Sequence, residues 1–181
     1  SLDVDDFGRE DQTLAIKHRP EGGTHLKKKA ESERVVNLSE KTVEVIADWI
    51  DEARPDVKDE HGREPLIATE FGRAHKTTIA SDIYNVTRPA FRGEECSCEP
   101  DKDDEWEDCP VTCAANAYRC DDSVPSHDIR AAAITYHLDN GWLPEVVADR
   151  ADNTPEVIED HYDNATEKEK AKRREEFMEL L

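Results

Sequence analysis

The sequence predicts a mainly helical α+β domain with a small antiparallel sheet. Three observations predict it. Two β-branched, alternating runs lie near the front, at 13–17 and 34–38. Apolar residues then recur at helical spacing in several stretches, each bounded by a capping or stopping residue. The length of 181 residues suits one domain spanning 1–181. No run of about 18 apolar residues is present, so no membrane-spanning helix is expected.

Leu2 to Phe7 alternates apolar and acidic residues, and Gly8 to Asp11 reads as a turn. Thr13-Leu14-Ala15-Ile16-Lys17 and Arg34-Val35-Val36-Asn37-Leu38 read as strands that pair in a hairpin with a long tip. Gly22-Gly23 marks a turn within that tip. Ser39 caps a helix from Glu40 to about Ala53, with Val43, Ile46, Ala47 and Ile50 on one face and Trp49 in the core. Arg54-Pro55 ends it, because the residue before a proline is pushed out of the helical region. Leu66 to Thr69 reads as a short buried strand, and Lys76 or Thr77 opens a helix closed by Arg88-Pro89.

Helices resume at Ser126, with Ile129, Ala133, Ile134 and Leu138 as the buried stripe and Asn140-Gly141 as the stop. Pro144 to Ala151 is a short helix. Thr154-Pro155-Glu156 gives the next helix a cap, a proline in the first position and an acid in the first turn. Thr166-Glu167-Lys168-Glu169 is a capping box that opens a last charged helix over 166–181, ending in Phe177, Leu180 and Leu181.

The net charge is −20, which opposes nucleic-acid binding unless cations are concentrated locally. They are: from Lys17 to Arg34 there are six Lys/Arg (Lys17, Arg19, Lys27, Lys28, Lys29, Arg34) against three Glu. The remaining acidity reads as a halophilic surface in a salty cytoplasm, where screening acts within about 3 Å at 1 M salt. The start lacks both Met and the basic-then-apolar pattern of a signal peptide, so it reads as the interior of a longer cytoplasmic protein.

The chemistry-bearing motif is His127-x-x-Arg130, followed 32 residues after the arginine by Tyr162. Residues i and i+3 share a helix face, so His127 and Arg130 can address one object. Arginine offers a planar fork suited to phosphate oxygens, histidine exchanges protons near neutrality, and tyrosine can act as a covalent nucleophile. Taken singly, each piece reads more simply as a solvated pair or a half-buried packing ring. Trp142 reads as packing. His161, adjacent to Tyr162 on the helix, is assigned no role, since neighbours in sequence do not face each other.

His127-x-x-Arg130, Gly141-Trp142 and Tyr162, in that order and spacing and behind a basic hairpin, resemble the C-terminal catalytic domain of tyrosine recombinases, the phage-integrase family. The resemblance covers nearly the whole chain except the cysteine-bearing segment. It implies site-specific recombination or integration of double-stranded DNA through a 3′-phosphotyrosyl intermediate, with no cofactor for catalysis. It implies Tyr162 as nucleophile, Arg130 as phosphate clamp and His127 in proton transfer or phosphate contact. Lys29, with Lys27 as fallback, matches the hairpin lysine that protonates the leaving oxygen, and Lys27, Lys28 and Arg34 would contact DNA. Asn153 stands nine residues before Tyr162, where the family carries His or Trp. The family's first catalytic arginine falls before Leu2, so these residues alone are expected to trap no covalent DNA adduct. The final helix over 166–181 would dock on a second copy in a homo-oligomer on DNA.

Residues 91–125 read as an acidic insertion: Glu94 to Asp108 holds nine acids and one lysine. All five cysteines, Cys96, Cys98, Cys109, Cys113 and Cys120, lie there. An odd, clustered set without a secretory signal argues against disulfides. It supplies enough soft ligands for one structural zinc, or leaves free thiols in an acidic loop. The competing function is a non-catalytic DNA-binding or zinc-supported interaction module, a decayed integrase.

Overall fold

The computed structural model describes residues 2–22, 25–95, 114–163, 166, 168, 170, 171 and 175. The chain forms two compact units, Ser1–His75 and Lys76–Leu181.

The first unit holds the sheet. Strands β1 (Phe7–Gly8), β2 (Thr13–Ile16) and β3 (Arg34–Asn37) are antiparallel in that order. The hairpin predicted from alternation is present, with Thr13 opposite Asn37 and Ile16 opposite Arg34. Only the inner face of β3 is covered: Arg34 and Val36 are half-buried, whereas Val35 is exposed. Helix α1 (Glu40–Asp48) starts where Ser39 accepts a hydrogen bond from the Thr42 amide, satisfying a helix-end donor. It runs on as a π-helical turn, Trp49–Ala53, a loosening the apolar spacing did not signal. Trp49 is half-buried, and its indole donates to the Leu66 carbonyl at 2.7 Å. The strand expected over 66–69 is shorter: β4 (Ala68–Thr69) pairs with β5 (Gly72–Arg73).

The segment from Leu2 is fastened to Glu64–Leu66, with Val4 N–H donating to Glu64 O and Leu66 N–H to Leu2 O. This places Asp3 and Asp6 in the interior, at 4% and 2% exposure, in the unit whose buried apolar residues include Ala47, Leu66 and Ala68. Buried carboxylates demand partners, and arginines from distant segments provide them. Arg19 grips Asp6 with two 2.6 Å bonds. Lys17 lies 2.9 Å from Asp6. Arg73 bridges Asp3 and Asp59, and Arg63 lies 3.0 Å from Asp59. Burial would raise the Asp6 carboxyl, but Arg19, Lys17 and the Asp3 amide outweigh it and hold Asp6 far below the ordinary carboxylate range. Asp59 is depressed in the same way: Arg73 and the donors from Arg63 and His61 overcome its burial.

The second unit is helical. Helix α2 (Lys76–Thr87) is closed by Arg88-Pro89, as the sequence predicts. Residues Ala114–Arg119 form a 3₁₀ helix, and Ala117, Cys120 and Ser123 behind it are buried. Ser123 Oγ bonds the carbonyls of Ala117 and Cys120, and Thr87 Oγ1 takes the Val124 amide, so this segment is tied to the end of α2.

Helices α3 (Ser126–Asp139), α4 (Pro144–Ala151) and α5 (Pro155–His161) enclose a core of Ile134, Leu138, Val147, Ala148 and Ile158. The expected stripe on α3 is corrected at its first half. Ile129 is 41% exposed and Ala133 is exposed, because only the last two turns of α3 meet this core. Gly141, at φ 89°, supplies the left-handed stop after α3.

Candidate functional site

Within the second unit, α3 carries His127 and Arg130 in its first two turns. Both side chains are exposed. Among the described residues Arg130 has one hydrogen-bond partner: its guanidinium donates through Nη2 to the carbonyl of Ala151, the last residue of α4. The final carbonyls of a helix lack intrahelical donors and carry the negative end of its dipole, so a guanidinium is well placed there.

The end of α4 is shaped to present that carbonyl. Asp152 is left-handed, with φ 54°. Asn153 N–H returns to Ala148 O at 2.9 Å and Asp152 N–H to Asp149 O at 3.3 Å. These are the two bonds of a Schellman stop, here with aspartate where glycine is usual. Asn153 Oδ1 accepts from the Thr154 amide at 3.1 Å, leaving its side-chain NH₂ as a donor. Thr154 then caps α5, its hydroxyl accepting from Val157 N–H, with Pro155 in the first position.

Tyr162 ends α5. Its amide still bonds to Ile158 O at 3.0 Å, but its backbone has left helical geometry. The ring is half-buried against the five-residue core, as is Ala151. The anchor of Arg130 and the ring of Tyr162 therefore lean on one apolar cluster. No described residue hydrogen-bonds the Tyr162 hydroxyl, and none pairs with the His127 ring. His161 meets Tyr162 edge-on with ring centroids 6.5 Å apart, which does not bring an imidazole nitrogen onto the hydroxyl.

A neighbouring aromatic cluster stiffens the α3–α4 turn. His137 stacks on Trp142 at 4.2 Å, and Arg150 lies over the same indole at 5.9 Å. Burial lowers the His137 pKa, and the Arg150 charge lowers it further, both favouring the neutral imidazole. Trp142 thus packs, in agreement with its reading from sequence.

In the first unit, the hairpin tip displays Lys27, Lys28 and Lys29 to solvent. Lys29 has φ 54°, a left-handed backbone that costs a residue with a Cβ about 1 kcal/mol. Arg34 is half-buried and donates to the Ser32 carbonyl at 2.9 Å, so it braces the tip. Arg19, counted from sequence among the tip's cations, is spent on Asp6.

Of the five cysteines, Cys96, Cys98, Cys109 and Cys113 lie outside the described residues, and Cys120 is buried. Among the described residues no group of three or more His, Cys, Asp or Glu is placed to hold a metal ion. Among them, too, no helix is long and apolar enough to cross a membrane. Thr166 O accepts from Lys170 N–H at 2.9 Å, one helical turn of the final segment; Phe177, Leu180 and Leu181 lie outside the described residues.

Residue pattern alone does not predict the buried Asp3–Arg73–Asp59 and Asp6–Arg19 pairs. The one available signal was the alternation of acids with apolar residues in Leu2 to Phe7, a segment that folds over Val4–Asp6 into a 3₁₀ helix and not a strand.

No family model and no curated protein matches the chain. A solved structure does: the crystal structure of XerA recombinase is similar over 97% of this chain, with a TM-score of 0.57 and 12% identity. The chain spans 50% of that recombinase chain. The likeness is one of fold, and it agrees with the mainly helical α+β architecture carrying a small antiparallel sheet.

Proposed function

We propose that this chain is the catalytic portion of a site-specific DNA recombinase that works by tyrosine transesterification. The observation that carries the reading is the anchoring of Arg130 to Ala151, next to Asn153, on the same core that seats Tyr162. An arginine, an amide donor and a tyrosine hydroxyl that no described residue hydrogen-bonds are the groups needed to hold a phosphate and attack it.

In the proposed step, Tyr162 Oη attacks a phosphorus of duplex DNA. A P–O bond to tyrosine forms as the bond to the 5′-bridging oxygen breaks. The tyrosine proton leaves with His127 or solvent, and the departing 5′-oxygen takes a proton from Lys29. Arg130 and Asn153 stabilise charge developing on the non-bridging oxygens, where prepositioned donors act most strongly. Attack by a different strand's 5′-hydroxyl reverses the chemistry onto a new partner. Lys27 and Lys28, exposed beside Lys29, supply the local cations that a chain of net charge −20 needs to approach DNA.

Two further elements belong to this proposal. Residues 166–181 dock on a second copy, giving a homo-oligomer on DNA. The cysteine segment holds a structural zinc; the deep burial of Cys120, at 3% exposure, suits a ligand held beside a packed 3₁₀ helix. The test of the catalytic reading is a duplex whose nicked strand leaves irreversibly, incubated with the intact protein. A covalent adduct mapping to Tyr162 supports it. Duplex binding without any adduct favours a non-catalytic DNA-binding module instead.

A further inference from the structure

The tip between β2 and β3 is exposed at nearly every position from Lys27 to Glu33, with one exception. Ser32 is 2% exposed. A buried serine amid solvated lysines and glutamates needs a reason, and its bonds give one. Ser32 Oγ accepts from the Lys28 amide at 3.1 Å. Its carbonyl accepts from Arg34 Nη1 at 2.9 Å. The Lys29 amide bonds back to Leu26 O at 3.1 Å, and the Leu26 amide donates to His18 Nδ1 at 3.2 Å. These bonds pin the backbone on both sides of Lys29, which sits in the left-handed region that side chains with a Cβ avoid. A lysine remains there only while its surroundings over-determine the turn.

We infer that Ser32 is a positioning residue for Lys29: by holding the Lys28 amide it keeps the left-handed turn and so sets where the Lys29 ammonium points. The inference rests on the reading that Lys29 delivers the proton to the departing 5′-oxygen. Ser32 itself touches neither DNA nor the reacting atoms. Removing its hydroxyl leaves the Lys28 amide unpaired and lets Lys29 relax to a right-handed backbone, which re-aims its side chain.

The test uses the intact protein and two duplexes, one with oxygen and one with sulfur at the 5′-bridging position of the cleaved phosphate. Sulfur leaves as a thiolate and needs no proton, so that substrate bypasses the general acid. Ser32→Ala is expected to lower adduct formation on the oxygen duplex by about tenfold or more, in keeping with the size of general-acid effects. On the sulfur duplex both Ser32→Ala and Lys29→Ala should return to near the unaltered protein's rate. The Lys28 amide of Ser32→Ala should also exchange with solvent faster, with the helical circular dichroism unchanged. Equal losses on both duplexes, or an undiminished rate on oxygen, overturn the positioning role. If the unaltered protein forms no adduct with either duplex, it is the strand-cleavage reading that fails. Amide exchange at Lys28 then decides by itself whether Ser32 holds the turn, and unchanged protection overturns that too.

Discussion

Arg130 of α3 donates to the carbonyl of Ala151, the last residue of α4, across 21 positions of sequence. This bond joins the helix that carries the His-x-x-Arg motif to the turn that carries Asn153. It also fixes one edge of the guanidinium while leaving further N–H groups to face a ligand, since the fork has five donors.

Arg130 should therefore matter twice. Arg130→Ala removes the anchor and the clamp, and should lower adduct formation by about a hundredfold or more, as loss of a charge-stabilising donor does. Stability should fall by only about 1 kcal/mol, the net worth of one hydrogen bond. Arg130→Lys keeps the charge but cannot hold Ala151 and a phosphate together, so it should recover only part of the activity. Adduct kinetics and urea denaturation on the same samples check both numbers.

The buried pairs of the first unit make it acid-sensitive. Asp6 and Asp59 have folded pKa values depressed below the ordinary 3.8. Their contribution is complete above about that value and is lost as pH falls below it towards the folded pKa values. The first unit's own denaturant midpoint should hold from pH 7 to 5 and drop steeply below about pH 4. Asp6→Ala, which strands Arg19, should cost about 3 kcal/mol at pH 7 and flatten the acid limb.

His137 makes a second, separate pH effect in the other unit. Its pKa is lowered by burial against Trp142 and by Arg150. The unfolded chain thus binds the proton more readily, so stability is full above the ordinary histidine value and declines as pH falls through it. The loss should appear between about pH 7 and 5, above the carboxylate limb. His137→Phe keeps the stack and should abolish this part of the pH dependence. An unchanged slope in that variant would remove His137 as the cause.

The proposed zinc is checked by metal analysis of protein dialysed against buffer without chelator. About one zinc per chain is expected, with loss of it on strong chelation at a cost to folding of the cysteine segment. Cys120→Ser should lower the zinc content. A folded protein that carries only traces of metal contradicts the proposal.

Much of the helical frame was legible because its boundaries are local. Ser39, Thr154 and Gly141 each perform at the helix ends the role their side chains, or lack of one, suggest. The β2–β3 pairing follows from the two β-branched runs. What escaped depends on residues far apart in the chain. Arg19 looked like a free cation until Asp6 was found beneath it, and Arg73 meets an aspartate 70 positions away. Ile129 looked buried because periodicity marks a face without saying how far along the helix its partners extend. The left-handed turns at Lys29 and Asp152 were hidden because neither uses glycine. The motif itself was visible as His127, Arg130 and Tyr162; that Ala151 anchors the arginine was not, since a backbone carbonyl leaves no trace in side-chain pattern.

The most direct test is the identity of the residue that becomes linked to DNA. The intact protein, given the irreversible duplex, should yield one covalent adduct whose peptide carries a nucleotide on Tyr162. Tyr162→Phe, a packing-neutral change on the core that includes Ile158, should yield none while still binding the duplex. An adduct that survives in Tyr162→Phe, or maps elsewhere, would contradict the account.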